Sequence, residues 1–323
     1  MSFFKRSGFI TVVLSVVLTA AACGGDSDAG SRGAGQLSGR VRADGSSTVG
    51  PLTETAAELF QQQHPGVRVT VGTSGTSGGF EKFCNGETDI SNASRVIKEE
   101  EVEACAANNV EWEQVQVAND ALSAVVHPDN PLECITIEQL KQAWDLGSKV
   151  DSWGDITGLQ ADLPDEKLTL FGPGSDSGTY DYWTDAVNGE EGRIRTDYNS
   201  IGEDDNAAVQ GVSGDPWAMA YIPFSFVTEA GGQVKPLAVE NPDTGQCVEP
   251  TLENVQDGSY APLGRGLFIY PSAQALQREE VLAFIKFYID NQAEITTQAT
   301  FIPMTDEQAA ASREKVDSLV SGS

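Results

Sequence analysis

The chain has 323 residues, more than one compact core usually holds, so two lobes or domains are expected. Hydrophobic residues at 40% and 33 glycines describe a globular protein rich in tight turns, and a formal charge of −28 excludes nucleic acid as a partner. That charge does not exclude a small anion, which responds mainly to dipoles and charges within about 8 Å, the Debye length at physiological salt.

Lys5 and Arg6 precede an uncharged, mostly apolar run over residues 8–22, which reads as an export signal and is too short for a comfortable membrane span. The run ends at Ala20-Ala21-Ala22-Cys23, similar to a bacterial lipoprotein signal in which the cysteine takes a diacylglyceryl group and becomes the mature N-terminus. An ordinary secretory signal, cut just before Cys23, is the alternative. Residues 23–39 are rich in Gly, Ser and Asp without an apolar period and suit a flexible tether. The expected location is the outer, extracytoplasmic or periplasmic, face of a bacterial cytoplasmic membrane. Loss of residues 1–22 brings the formal charge near −30.

From Arg40 onward, short strand-like runs alternate with amphipathic helices, the pattern of an α/β protein. A helix is expected from Pro51 to His64, then a strand at Val67, Val69 and Val71, a loop TSGTSGG, and a short helix over residues 80–85. A strand at residues 88–92 and a charged helix at 98–108 follow. Residues 112–126 form a long apolar strand that passes from one lobe to the next, and Thr136 with Gln139 has the spacing of a capping box for a helix to Trp144. Next come a strand at residues 168–171, helices at 180–187 and 204–212, and a buried strand at 218–226. Residues 267–270 are the return crossing, and helices at 281–289 and 306–320 pack back on the N-terminal half. The domains are therefore a leader (1–22), a tether (23–39), lobe I (40–118 plus 267–323) and lobe II (119–266).

Cys84, Cys105, Cys134 and Cys247 remain beyond Cys23, and an even count in an exported chain favours disulfides. Four cysteines allow three pairings; Cys84–Cys105 with Cys134–Cys247 keeps each bridge inside one half of the protein. No CxxC pair occurs and only His64 and His127 are present, so no metal site and no cofactor are expected.

Three segments set hydroxyls and glycines before a helix: GSSTVGP at 45–51, GTSGTSGG at 72–79 and GPGSDSGT at 172–179. A helix N-terminus leaves about four backbone N–H groups unpaired and carries a positive partial charge, and glycine lets a ligand approach the backbone. One such loop is an ordinary cap. Three converging loops would bind a tetrahedral oxyanion with little net positive charge.

These segments, with TDISNASRVI, LFGPGSDSGTYDYW and DDNAAVQGVSGDPWAMAYIPF, resemble the phosphate-binding proteins of phosphate ABC importers, the PstS family, from about Arg40 to the C-terminus. The resemblance implies a type II-like periplasmic-binding-protein fold, two α/β lobes joined by two crossing strands with a ligand cleft between them. It also implies phosphate contacts from Ser47, Thr48, Ser77, Ser177, Gly178 and Thr179, and the same loops add Val49, Ser94, Arg95 and Ser175 to the candidate set. Members of the family carry an aspartate in the second loop and an arginine shortly before Ser-Gly-Thr. Here Ser94 and Pro173 stand at those places, with Arg95 as the substitute cation and Asp176 or Asp205 as the substitute proton acceptor. The expected partners are inorganic phosphate, the permease subunits of an ABC importer and, through a lipid on Cys23, the membrane; the expected state is a monomer.

The nearest rival is the same fold with sulfate, molybdate or tungstate. GTSGG at 75–79 also fits the GxSxG pattern of a serine hydrolase with Ser77 as nucleophile, but the only later histidine, His127, stands beside Pro128 at a strand end, so no enzyme is expected. An acidic surface adhesin without a small-ligand site is the third reading.

Overall fold

The computed structural model describes residues 37–322 except Asp162, Asp176 and Glu203. The leader, Cys23 and the candidate acceptor Asp176 lie outside the described residues.

Lobe I opens with β1 (Ser38–Gly45), α1 (Gly50–Gln63), β2 (Gly66–Val71), α2 (Gly75–Cys84), β3 (Ile90–Ala93) and α3 (Glu99–Ala107). β1 thus takes in the last two residues read as tether, because Ser38 and Gly39 already pair with Gly66 and Val67. The first crossing strand, β4 (Val115–Val126), leads to β5 (Cys134–Ile135), α4 (Ile137–Trp144), β6 (Thr169–Gly172), α5 (Gly178–Trp183) with a π-turn over Thr184–Asn188, and β7 (Asn199–Ser200). α6 (Asp205–Gly214), β8 (Ala218–Pro223), α7 (Phe224–Glu229), β9 (Lys235–Pro236), β10 (Ala238–Glu240), β11 (Cys247–Val248) and α8 (Leu252–Gln256) complete lobe II. The return crossing, β12 (Gly264–Pro271), leads to α9 (Ala273–Leu276), α10 (Glu279–Asp290), α11 (Gln292–Gln298) and α12 (Asp306–Gly322).

One sheet runs through both lobes in the order β2-β1-β3-β12-β4-β8-β6-β7, with β9 also on β4. β1 is parallel to β2 and β3, whereas β12 is antiparallel to both β3 and β4. The two crossing strands therefore lie side by side at its centre.

Each lobe has its own core. Val41, Leu52, Phe60, Ile90, Val117, Leu267, Phe284 and Val316 pack together in lobe I, which draws α10 and α12 back onto the N-terminal half. Leu122, Leu140, Trp144, Trp153, Trp183, Tyr221 and Leu263 pack in lobe II, with Trp183 stacked on Tyr221 at 4.3 Å. Burial of each large apolar side chain stabilises by about 1.5–3 kcal/mol. The change from one core to the other falls between Ala118 and Ala121 on β4 and between Leu263 and Leu267 on β12. Asn119, Asp120 and Arg265 occupy those junctions, where strand residues leave one apolar interior before entering the next.

The cysteines pair Cys84–Cys105 and Cys134–Cys247. Thr136 accepts from the Gln139 N–H at 3.1 Å, and the Gln139 side chain returns the bond at 2.9 Å, the expected capping box.

Two local expectations are corrected. TSGTSGG is not a loop: α2 starts at Gly75, and Gly79 lies inside it because a Cβ there would collide with the Gly45 backbone. Glycine marks close packing of α2 on β1 rather than a turn. Residues 224–226 turn into α7 instead of extending β8, since Pro223 ends the ladder. Among the described residues, no helix is long and apolar enough to cross a membrane.

Candidate functional site

The first hydroxyl loop is fixed by lobe I. Ser46 N–H donates to the Asn92 carbonyl at 2.9 Å, and the Ser46 carbonyl accepts from Gly50 N–H at 2.9 Å as α1 begins. Asp44 accepts from Ser74 N–H at 3.2 Å and from Lys82 Nζ at 2.7 Å, tying the start of α2 to the end of β1. Val49 is the N-cap of α1 and its side chain is buried, so it offers the site only backbone. Ser47 and Thr48 turn toward lobe II: Ser47 Oγ donates to Asp181 at 3.1 Å and Thr48 Oγ1 to the Gly178 carbonyl at 3.3 Å.

On the other side Ser177 caps α5, its Oγ accepting from Thr179 N–H at 3.2 Å. A cavity of about 180 Å³ lies where these loops meet. Ser47, Thr48, Ser177, Gly178, Thr179, Asp120 and Asp205 form its polar wall, and Phe224, Phe226 and Phe301 are among its apolar wall. The N-termini of α1 and α6 and the capped turn of α5 border the same space, so N–H groups and hydroxyls from both lobes are available to an oxyanion.

The structure does not bring the other candidates to that wall. Ser77, Ser94 and Arg95 form a separate lobe I cluster. Arg95 donates to both oxygens of Glu101, at 2.8 and 2.7 Å, and to Ser77 Oγ at 2.9 Å; Ser94 Oγ lies 3.1 Å from Thr76 Oγ1. Ser175 is exposed on its turn. Asp205, the first residue of α6, is half-buried at the cavity.

Three residues not singled out in the sequence join the two clusters. Arg265 Nη1 donates to the Ser94 carbonyl at 3.0 Å, while Nη2 reaches Thr48 Oγ1 and Asp120 Oδ2, both at 3.3 Å. Its guanidinium lies 3.2 Å from the ring centre of Tyr182, a cation–π contact from lobe II. The signal that could have found Asp120 is Asn119-Asp120 itself, a polar pair inside an otherwise apolar strand. Arg265 gave a weaker signal, flanked by glycines at the edge of an apolar run.

Carboxylates dominate the electrostatics. Burial pushes Asp120 up, and the Arg265 guanidinium offsets only part of this. Asp181 is raised by burial despite the Ser47 hydroxyl, and Glu191 by burial and by the charges of Asp181 and Asp185. Neutral donors combined with carboxylate acceptors suit an oxyanion that still carries a proton. They do not suit nucleophilic catalysis: Ser77 Oγ accepts from a guanidinium, His64 packs on Phe60 at 4.6 Å, and His127 Nδ1 accepts from Asp129 N–H. No group of three or more metal-ligating side chains occurs among the described residues.

Residues 28–292 match the PBP superfamily domain. The "Phosphate-binding protein PstS" of Staphylococcus saprophyticus is 33% identical over 314 residues, 97% of this chain and 94% of that protein. The chain belongs to the PstS family. This PstS-family chain is also 42% identical to "Protein SphX" of Synechococcus elongatus, over 87% of its own length and 82% of that protein's. A crystal structure described as a possible phosphate binding protein from Planctomyces limnophilus overlays it with a TM-score of 0.82 at 35% identity, covering 88% of this chain and 99% of the other. The two-lobed PBP fold expected from the resemblance is thereby established, and the PstS-family chain presents two of its hydroxyl loops, at 45–51 and 172–179, at the cavity where the lobes meet.

Proposed function

We propose that this protein binds inorganic phosphate between its lobes outside the cytoplasm and delivers it to an ABC importer. The observation that carries the reading is the meeting of Ser47-Thr48 and Ser177-Gly178-Thr179, hydroxyl loops from opposite lobes, at one cavity beside the crossing strands. Names of the PstS relatives agree with phosphate as the ligand. In this reading lobe I comprises residues 40–118 plus 267–323, lobe II residues 119–266, and their closure on the anion creates the form that docks on the permease subunits. A lipid on Cys23 and the tether behind it hold a monomer at the outer face of the membrane.

Calorimetric titration of the exported chain, stripped of bound anion, tests the ligand. One-to-one phosphate binding that persists in excess sulfate supports the reading. Binding of sulfate or molybdate instead keeps the fold and discards the substrate, and silence toward every anion defeats transport. For the anchor, Cys23→Ala should release the protein from the membrane fraction and abolish metabolic labelling by a fatty acid.

A further inference from the structure

β4 and β12 join the lobes covalently, and residues 300–308, between α11 and the first turn of α12, tie them again through hydrogen bonds. We propose that this segment is a closure latch, in which Gln256 of lobe II and Gln308 of lobe I are positioning residues that hold a share of anion-free chains closed and so raise the affinity for phosphate without touching it. The affinity part rests on the phosphate reading above; the closure part does not.

The segment belongs to lobe I by sequence but packs on both interiors. Phe301 and Met304 lie against the lobe I core, whereas Ile302 between them is buried in that of lobe II. It begins at a strained bend. Phe301 N–H donates to the Thr296 carbonyl at 2.8 Å and Thr300 N–H to the Thr297 carbonyl at 3.4 Å, a Schellman ending of α11 that leaves Thr300 at φ 59°, where glycine is usual. A β-branched residue keeps that conformation only where its surroundings impose it. β4 imposes it here: Asn119 N–H donates to the Ile302 carbonyl at 2.8 Å, the Asn119 carbonyl accepts from Ile302 N–H at 3.1 Å, and Asn119 Nδ2 donates to Gln308 Oε1 at 3.0 Å.

Two further bonds reach α8 of lobe II. Gln256 Nε2 donates to the Pro303 carbonyl at 2.9 Å, and the Gln256 carbonyl accepts from Gln308 Nε2 at 3.1 Å. Gln308 is itself held by the capping box that starts α12, its Oε1 accepting from Thr305 N–H at 2.9 Å. These bonds coexist with the contacts across the cleft, Ser47 to Asp181 and Thr48 to Gly178. The segment presents Thr300, Phe301 and Ile302 to the ligand cavity, and Thr305 and Gln308 to a second crevice walled by Leu252 of α8. Lobe opening that carries α8 away from Pro303 and Gln308 breaks both bonds, so they favour the closed form, and an anion that binds between closed lobes gains by the population they maintain.

The test is small-angle scattering and phosphate calorimetry of the exported chain, comparing wild type with Gln256→Met, which keeps the side-chain volume and loses the bond to Pro303. Neither Gln256 nor Gln308 lines the ligand cavity. The anion-free variant should have a larger radius of gyration than anion-free wild type, the two radii should coincide at saturating phosphate, and affinity should fall about three- to tenfold, the equivalent of one hydrogen bond of ordinary net strength. A merely structural glutamine would lower the melting temperature and move neither the radius nor the affinity. An unchanged anion-free radius, or an unchanged affinity, overturns the latch. Should Gln256→Met not fold, Gln308→Met reads the companion bond by the same two measurements and the same criteria. Failure of the wild type to bind phosphate would defeat the phosphate reading, and the anion-free radius would still decide the latch.

Discussion

Gly178 stands against Thr48 so closely that a Cβ on residue 178 would lie 2.8 Å from the Thr48 hydroxyl oxygen and 3.1 Å from its backbone nitrogen. The two residues belong to opposite lobes, so this clearance sets how far the cleft can close. Gly178→Ala should leave the melting temperature within a few degrees of wild type, because each lobe core is untouched, yet weaken phosphate binding at least tenfold. Calorimetry paired with small-angle scattering checks it: the variant with phosphate should keep a larger radius of gyration than wild type with phosphate.

Arg95 is the cation nearest the second loop, with Glu101 and Ser77 as its partners. We expect closure of the lobes to bring this separate cluster onto the anion, so Arg95→Ala should weaken phosphate binding at least tenfold. A dissociation constant equal to that of wild type would take both residues out of the site and leave Glu101 as the whole purpose of the arginine.

The disulfides differ in exposure. Cys84 and Cys105 are buried among Phe80, Phe83 and Tyr270, while Cys247 is exposed. Mild reductant should therefore open Cys134–Cys247 first, as followed by alkylation and mass spectrometry. Its loop spans a sequence separation of 113 residues, and chain-entropy arguments assign a loop near that size about 4.7 kcal/mol. Cys134→Ser with Cys247→Ser should lower stability by up to that amount without changing the ligand.

Asp89 is buried between two arginines, accepting from Arg42 Nη2 at 3.0 Å and pairing with Arg278 Nη2 at 2.6 Å. Burial alone would raise its carboxyl, but the hydrogen bonds from Arg42 and Arg278 prevail and hold it below the ordinary range. A group whose folded value is depressed contributes its full stabilisation above its unfolded value, about 3.9, and loses it as the pH falls through the folded value. Asp89→Asn should accordingly cost about 1.5–3 kcal/mol at neutral pH, the range for hydrogen bonds to charged groups. The deficit should shrink in strong acid, as read from urea melts at pH 7 and pH 3.

Local sequence carried much of this architecture. Thr136 and Gln139 announced the start of α4, and the hydroxyl loops at 45–51 and 172–179 fell where helices begin at one cavity. Gly79 misled, because the sequence cannot tell a glycine needed for a turn from one needed to admit a neighbouring backbone. Asp120 and Arg265 escaped notice for a related reason. Their meaning depends on β4 and β12 becoming neighbours, a pairing between residues 145 apart in the chain that no local pattern encodes. Arg95 was legible as a cation near the loop, but its engagement with Glu101 was not, since the many acidic residues offered too many alternatives.

β1 and α12 both belong to lobe I, so the described chain enters and leaves through the same half of the molecule. Lobe II is in effect an insertion with no free end, joined covalently to lobe I through β4 and β12. A fluorophore attached on β1 or on α12 rides with lobe I and is blind to closure. Any optical sensor made from this chain needs one of its two dyes on lobe II, for example at the exposed Glu229 or Asp243, with the other on the far side of the strand pair.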